Sequence, residues 1–420
     1  MQTEVITLGC RLNAFESEVI RGHSHAVGLE NAVIINTCAV TAEAERQARK
    51  TIRRIRRERP NAQIIVTGCA AQLNSNKFSM MQEVDKVIGN EEKLLISSYQ
   101  DLSSKPQKVN VSDIQKVKKI PLNLIKGLEG RSRAFVQVQQ GCDHRCTFCI
   151  IPFARGPNRS LPFSEICKQV KTLVAHGYKE VVLTGVDICS YGVDLFGRPQ
   201  LGNLIKDLLA HVPDLPRLRL SSIDPAIIDP LFFKVFRDEE RLMPHLHLSL
   251  QAMDPMVLKR MRRRHTVKQV LRFAEDMRKV RPDIVFGADL IAGFPTETVK
   301  MFRNSVRGIK EVGITYLHVF PYSERPGTPA MRMPQIEKSI RKQRAAILRK
   351  KAIQSRRSFF NSLRGKSLEV LTETNNRGLT KQFVPVKIET SPEVILASGQ
   401  MLNVTISNSF DQSVSGLPIL

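Results

Sequence analysis

The chain has 420 residues, of which 42% are hydrophobic and 25% charged. That is globular composition and excludes a wholly disordered chain; the length allows two or three domains. Its 64 Lys and Arg outnumber 40 Asp and Glu, for a net charge of +24, which argues against a neutral metabolic enzyme and toward a polyanionic partner, nucleic acid or an anionic membrane.

Eight cysteines in this length are too sparse for a disulfide scaffold. No run of eighteen apolar residues is present, and the start, MQTEVITLGCRLN, lacks the basic and long apolar regions of a signal peptide. A cytoplasmic chain with reduced thiols is expected, its clustered cysteines serving as metal ligands or catalytic groups.

Residues 1–102 alternate short strands and helices: strands at Thr3–Leu8, Ala32–Asn36 and Gln63–Thr67, with a polar helix over Thr41–Glu58 stopped by Pro60. Strand, helix, strand at this spacing predicts a small α/β domain with a parallel sheet. Residues 103–130 show no period and read as a linker with an irregular lead-in. Six further strands are expected at Ala134–Gln139, Glu180–Gly185, Leu218–Ser222, His245–Leu250, Ile284–Leu290 and Tyr316–Phe320, with helices such as Phe163–His176 and Thr266–Val280 between them. Such βα units curl into a barrel-like sheet or spread as an open doubly wound one, and the pattern alone does not choose. A basic helix region fills 338–366. After it, LEVLTE, QFVPVKIE, EVILAS and MLNVTIS, separated by NNRG, TSP and SGQ, predict a small all-β module closed to hide its edges.

Cys142, Cys146 and Cys149 form CDHRCTFC, directly after the first strand of the βα series. Three thiols this close on a loop suit a metal or an iron–sulfur cluster. Zinc normally takes four ligands, whereas three leave one iron of a [4Fe–4S] cube open to a small molecule. Phe148, beside the last of them, either shields a cluster or is a core aromatic. Cys10, Cys38 and Cys69 each follow one of the three N-terminal strands. In a parallel sheet those ends share one edge, so three separate positions can converge on a second cluster; the alternative is three buried cysteines acting as small apolar residues.

CDHRCTFC resembles the radical S-adenosylmethionine (SAM) signature. That resemblance implies a partial (β/α)6 barrel with its site at the C-terminal ends of the strands, SAM on the open iron, and cleavage to a 5′-deoxyadenosyl radical. TLGCRLNAFESE, VIINTCAVTAEAERQARK, IIVTGCAAQ, LSLQAMDPMVLKRMRRRH, GADLIAGFPTET and FPYSERPGTP extend the likeness over most of the chain to the methylthiotransferase family. CDHRCTFCIIPFARG and RRRH look most like the subgroup acting on N6-threonylcarbamoyladenosine in tRNA; other subgroups act on isopentenyladenosine in tRNA or on a ribosomal-protein aspartate. The C-terminal module resembles the RNA-binding TRAM domain.

The resemblance therefore implies three parts: an N-terminal domain (1–102) with an auxiliary cluster on Cys10, Cys38 and Cys69; a radical SAM core (128–355) with catalytic Cys142, Cys146 and Cys149; and a TRAM-like barrel (356–420). It implies two [4Fe–4S] clusters, SAM, a flavodoxin- or ferredoxin-like electron donor, a sulfur donor and the tRNA anticodon loop as partner, with no membrane. Gly185, Asp187, Ser221, Ser222, Gln251 and Gly293 follow the barrel strands and are expected to hold SAM. Cys167 and Cys189 read as bystanders, and the nine histidines show no ligand spacing along the sequence. The basic runs Arg46–Arg59, Lys259–Arg264 and 338–366 are expected to track phosphates. The chain departs from the family pattern at Pro157-Asn158 and at Ala252-Met253, where Met in place of Gly is costly if the backbone needs a positive φ. An RNA-binding protein with structural or redox-sensing clusters is the alternative from another class.

Overall fold

The structure, a computed structural model, describes residues 3–100, 107–391 and 393–419; part of the stretch read as a linker and the proline of the TSP turn lie outside them. The N-terminal sheet has five parallel strands in chain order: Glu4–Thr7, Ala32–Thr37, Gln63–Gly68, Lys86–Ile88 and Val109–Asn110. Its second and third strands are buried almost throughout, hence their unbroken apolar runs. The helix Ala42–Glu58 starts where the Thr41 side chain accepts the Ala44 N–H. The last strand lies within the stretch read as a linker. Beyond it Ile114, Val117, Ile120, Ile125 and Leu128 are buried, so this stretch is a packed strap between the N-terminal sheet and the next layer.

Six parallel strands follow: Arg133–Gln137, Glu180–Thr184, Arg217–Leu220, His245–Gln251, Val285–Ala292 and Ile314–Pro321. The third changes partners along its length. Arg217–Leu220 pairs with the second strand, and Ser222–Ile223 pairs with the fourth. Strand order runs from first to sixth, with no pairing between those two among the described residues, which makes a partial barrel. Outward residues such as Leu218, Leu246, Leu248, Phe286 and Leu290 form the main core beneath the helices. The alternate positions are polar: Arg217 and Arg219, His245 and His247, Asp289, His318. Side chains alternate faces along a strand, so the interior of this barrel is charged and hydrogen-bonding. The N-terminal domain covers its open side: Ala42 donates its N–H to Ser323 Oγ, and Arg325 pairs with Glu45.

The long helix Lys338–Asn361 leads to a closed five-stranded barrel of Ser367–Glu373, Arg377–Thr380, Pro385–Ile388, Met401–Ser409 and Val414–Pro418. EVILAS is not one of its strands: Glu393–Ser398 is irregular, with Ile395 83% exposed. Two strands missed by the sequence reading take its place. RGLT follows Asn375 and Asn376, both at positive φ, which make the hairpin turn. VSGLP carries Gly and Pro, which mask its strand character, yet it closes the barrel against Pro385–Ile388. Phe383, at the tip between the second and third strands, plugs the N-terminal end of the larger barrel. It stacks on His245 with ring centres 4.9 Å apart and lies beneath the guanidinium groups of Arg133 and Arg219. Arg217 and Arg219 donate to the Leu379 and Lys381 carbonyls, and Arg219 forks onto Glu180.

The departure at Met253 is absorbed by packing. The positive φ of this loop falls on Gln251. Met253 is buried against Gly308, where an added Cβ would sit 2.6 Å from the Met253 Cβ. Gly308→Ala is expected to destabilise the fold by about 2 kcal/mol through overpacking. In a Met253→Gly background, which removes the clashing Cβ, the same substitution is expected to cost less, read as a coupling in a denaturant-melt double-mutant cycle.

Candidate cluster and substrate site

The loop carrying Cys142, Cys146 and Cys149 leaves the first barrel strand and is fixed by its neighbours. Cys142 N–H donates to the Gly156 carbonyl. Thr147 is held on both sides, its N–H and hydroxyl donating to Met261 and Arg260 carbonyls while its own carbonyl accepts the Ala330 N–H. Phe148 packs on the apolar group of Ala252, Met261 and Phe294.

Behind the loop stand three consecutive residues of the RRRH run. Arg263 donates to Cys146 Sγ (3.2 Å), to Asp224 (2.9 Å) and to the Ser249 carbonyl. Arg264 donates to Asp187 (2.8 Å), and the His265 ring meets Asp224 at 3.3 Å. Asp224 is almost fully buried; burial opposes its charge, but His265, Arg263 and Arg264 together hold its carboxyl below the usual range. Two arginines of a run expected to face phosphate are thus turned inward, onto the cysteine loop.

The second set of cysteines lies across the domain junction. Cys10 caps the helix Arg11–Ala26, Cys38 follows the second strand, and Cys69 opens a short helix after the third. They are close enough to act on one another: burial first, then Cys69 and Cys10, push the Cys38 thiol up to about 11. On the barrel side, burial and then Asp187 push Cys142 up to about 11, and burial and then Cys146 push Cys149 up to about 12. Such thiols ionise at neutral pH only when a metal takes the charge.

Arg155, six residues after Cys149 and 2% exposed, ties the N-terminal set to the barrel. Its Nε donates to Cys69 Sγ at 3.2 Å. Its Nη1 donates to Glu16 (2.5 Å) and to Gln140 (2.6 Å), and its Nη2 to Asn13 (2.7 Å). Burial disfavours the Glu16 charge, but Arg155 and Lys93 more than reverse that and bring its carboxyl down to about 2. Each cysteine set thus has one sulfur accepting a guanidinium N–H. Donors of this kind orient and tune thiolate ligands, so both donor sets fit an iron–sulfur cluster.

The residues expected to hold SAM fall into four situations. Gly185 and Asp187 belong to the cysteine loop's surroundings. Gln139 Oε1 accepts the N–H groups of Val186 and Asp187, and the Asp187 carboxylate lies 4.0 Å from Cys142 Sγ. Ser221 is buried with its hydroxyl unpartnered at the point where the third strand changes partners, and Ser222 beside it pairs with His247. Gln251 ends the fourth strand at φ 68°. Gly293 faces the other way, against Arg341 of the long helix.

Cys167 lies in the main core, and Cys189 accepts the Asp224 N–H. The histidines, unremarkable along the sequence, come together across it. His247, Asp289 and His318 sit on three adjacent strands, with His247 2.9 Å and His318 3.2 Å from Asp289. Sequence reasoning also missed Arg155, Arg263 and Asp224. The alternating H-x-H-x-S-x-Q of the fourth strand is the signal that foretells a polar barrel interior.

The exposed charge gathers elsewhere. Arg46, Arg49, Lys50, Arg53 and Arg57 line an open groove on the helix Ala42–Glu58. Lys338, Lys342 and Arg349 line another of about 770 Å³, bounded by Thr41–Glu45 and 319–326. Arg341 and Arg344 of the long helix are instead buried, paired with Glu324 and Glu297. No helix among the described residues is long and apolar enough to cross a membrane.

Residues 136–309 match the radical SAM superfamily, and residues 2–89 match a family described as uncharacterized protein family UPF0004. The threonylcarbamoyladenosine tRNA methylthiotransferase MtaB of Rickettsia prowazekii is 51% identical over 97% of this chain and 95% of its own. The protein of the same name from Bacillus subtilis is 33% identical over 95% and 92%. A tRNA-2-methylthio-N(6)-dimethylallyladenosine synthase of Staphylococcus haemolyticus is 32% identical over 98% and 83%. The radical SAM methyltransferase TsrM of Kitasatospora setae shares the fold (TM-score 0.57, 15% identity, covering 79% of this chain and 77% of that one). The chain is thus a radical SAM enzyme with SAM and [4Fe–4S] clusters as its cofactors. With Cys69 and the strand end before Cys142 joined by one buried arginine and relatives matched over nearly its full length, the chain belongs to the radical SAM tRNA methylthiotransferase family, alongside the threonylcarbamoyladenosine enzymes.

Proposed function

We propose that this protein methylthiolates C2 of N6-threonylcarbamoyladenosine at position 37 of tRNA, beside the anticodon. Cys142, Cys146 and Cys149 hold the cluster that binds SAM, and Cys10, Cys38 and Cys69 hold the second cluster. When bound, these groups supply a 5′-deoxyadenosyl radical and a methylthio group. That chemistry suits an aromatic C–H on which a side-chain base has no grip. The observation that carries the reading is Arg155, which contacts Cys69 on one side and the strand end before Cys142 on the other. It supports placing both clusters on one cavity, as a single transfer to one base requires.

The chain's own residues supply position and electrostatics. Arg263 and Arg155 give N–H groups to one sulfur in each set. Asp187, fixed by Arg264 and by the Gln139 amide, stands beside Cys142 with Gly185 behind it. With the unpaired Ser221 hydroxyl, Ser222 and Gln251 at the strand ends, it offers the polar contacts SAM needs. Gly293, turned toward the long helix, keeps that helix against the barrel. The two exposed basic grooves, near the open side of the barrel, suit the phosphates of an anticodon stem-loop, whose unpaired base enters without breaking a duplex. An electron donor of the flavodoxin or ferredoxin type and a sulfur donor complete the reaction.

Three variants test this with reconstituted, reduced protein, SAM and tRNA. Cys146→Ala is expected to abolish 5′-deoxyadenosine release; retained release contradicts the cluster placement. Cys38→Ala is expected to leave SAM cleavage largely intact and to stop methylthiolation. If both activities survive, the N-terminal cysteines are core residues. Arg155→Ala strips one partner from a buried ion pair and is expected to destabilise the protein by about 3 kcal/mol, read by thermal melting, and to lower product formed per 5′-deoxyadenosine.

A further inference from the structure

Arg11 follows Cys10 directly and reaches from the N-terminal domain into the charged interior of the large barrel. Its guanidinium carbon lies 5.9 Å from the centre of the Phe383 ring. Within electrostatic reach are Arg133, Arg219, Glu180 and Asp289. Every other arginine here is matched, Arg133 by Glu373, Arg217 by Glu369 and Glu180, and Arg219 by Glu180, while the His247 and His318 rings lie against Asp289. Among the described residues, Arg11 has no hydrogen-bond or ion-pair partner. Beside it, His245 is 3% exposed with both ring nitrogens unpartnered. Burial, then Arg219, holds its ring well below the usual histidine range. It is a neutral imidazole able to take one hydrogen bond and give another, without competing for an anion.

We infer that Arg11 and His245 form a subsite for an anionic, hydrogen-bonding substituent on the target base, with Arg11 taking a carboxylate and His245 a neighbouring hydroxyl or amide. This rests on the function proposed above: the threonylcarbamoyl group on N6 ends in a carboxylate flanked by a hydroxyl and a urea N–H. An isopentenyl group carries none of these and would leave the half-buried guanidinium unpaired, a penalty that rejects a substrate more strongly than a missing contact does. Arg11 is thus a specificity-determining residue, placed by the same turn that places a cluster cysteine. A backbone phosphate is the other anion tRNA offers, and the test separates the two.

Full-length protein is titrated with anticodon stem-loops that differ only at base 37, bearing the threonylcarbamoyl acid or its uncharged carboxamide. The wild type is expected to bind the acid about 10- to 100-fold tighter, the range for a hydrogen bond to a charged group. Arg11→Gln is expected to bring the two within about twofold, and Arg11→Lys to keep part of the preference. Equal binding of the two by the wild type overturns the inference, as does a preference surviving in Arg11→Gln. Equal weakening of both by Arg11→Gln makes the anion a phosphate and overturns it too. Should Arg11→Gln not fold, the wild type and Arg11→Lys decide by the same ratio. Failure of the underlying reading shows separately, as a wild type that binds the acid yet forms no 2-methylthio product on it.

Discussion

One buried guanidinium sets the relation between the two halves of this enzyme. Arg155 is buried away from solvent, so its N–H groups must find fixed partners. It finds them in Glu16, Asn13, Gln140 and Cys69, which belong to both domains. A charge at this depth is tolerated only while every contact is made, and so it fixes geometry more than it adds stability. Lys93, also buried, shares the Glu16 carboxylate. The N-terminal domain is therefore keyed to the segment that follows the cysteine loop, with Cys69 Sγ on the shared guanidinium.

The same logic recurs at the other end of the barrel. Arg217, Arg219 and Glu180 are fully buried, and the carbonyls that complete their hydrogen bonds come from the C-terminal barrel. Phe383 closes the floor beneath them. A six-stranded sheet that does not close on itself leaves one open side and two open ends. Here the N-terminal domain covers the side, and the small barrel plugs the end away from the cysteines. Access remains at the C-terminal strand ends and along the basic grooves beside them. A polar, enclosed interior results, in which electrostatic contacts are stronger than in water.

Much of this was legible in the residues. The apolar runs AVIIN and QIIVT located the central strands of the first sheet, the spacing of the six later strands anticipated a run of βα units, and the resemblance carried by CDHRCTFC implied the partial barrel. CDHRCTFC and the three strand-end cysteines located both candidate clusters, because their chemistry depends on local spacing or on a shared sheet edge. What stayed hidden depends on contacts distant in sequence. Arg155 and Cys69 are 86 positions apart, and the RRRH run looked like surface charge until Asp224 and Asp187 turned it inward. Asp289 gathers its histidines from neighbouring strands, where no sequence interval marks the cluster. In the C-terminal module, EVILAS satisfied a β pattern without a partner, while VSGLP broke the pattern yet gained one. Pairing decides strands more than propensity does.

The proposed target is one bond, C2–H of N6-threonylcarbamoyladenosine beside the anticodon. Mass spectrometry of nucleosides from tRNA of a strain lacking this protein, with and without the gene restored, tests it most directly. The 2-methylthio form is expected to disappear while unmethylthiolated N6-threonylcarbamoyladenosine accumulates, and restoring the gene is expected to reverse both. Loss of a 2-methylthio isopentenyl nucleoside instead, or an unchanged nucleoside profile, would contradict it.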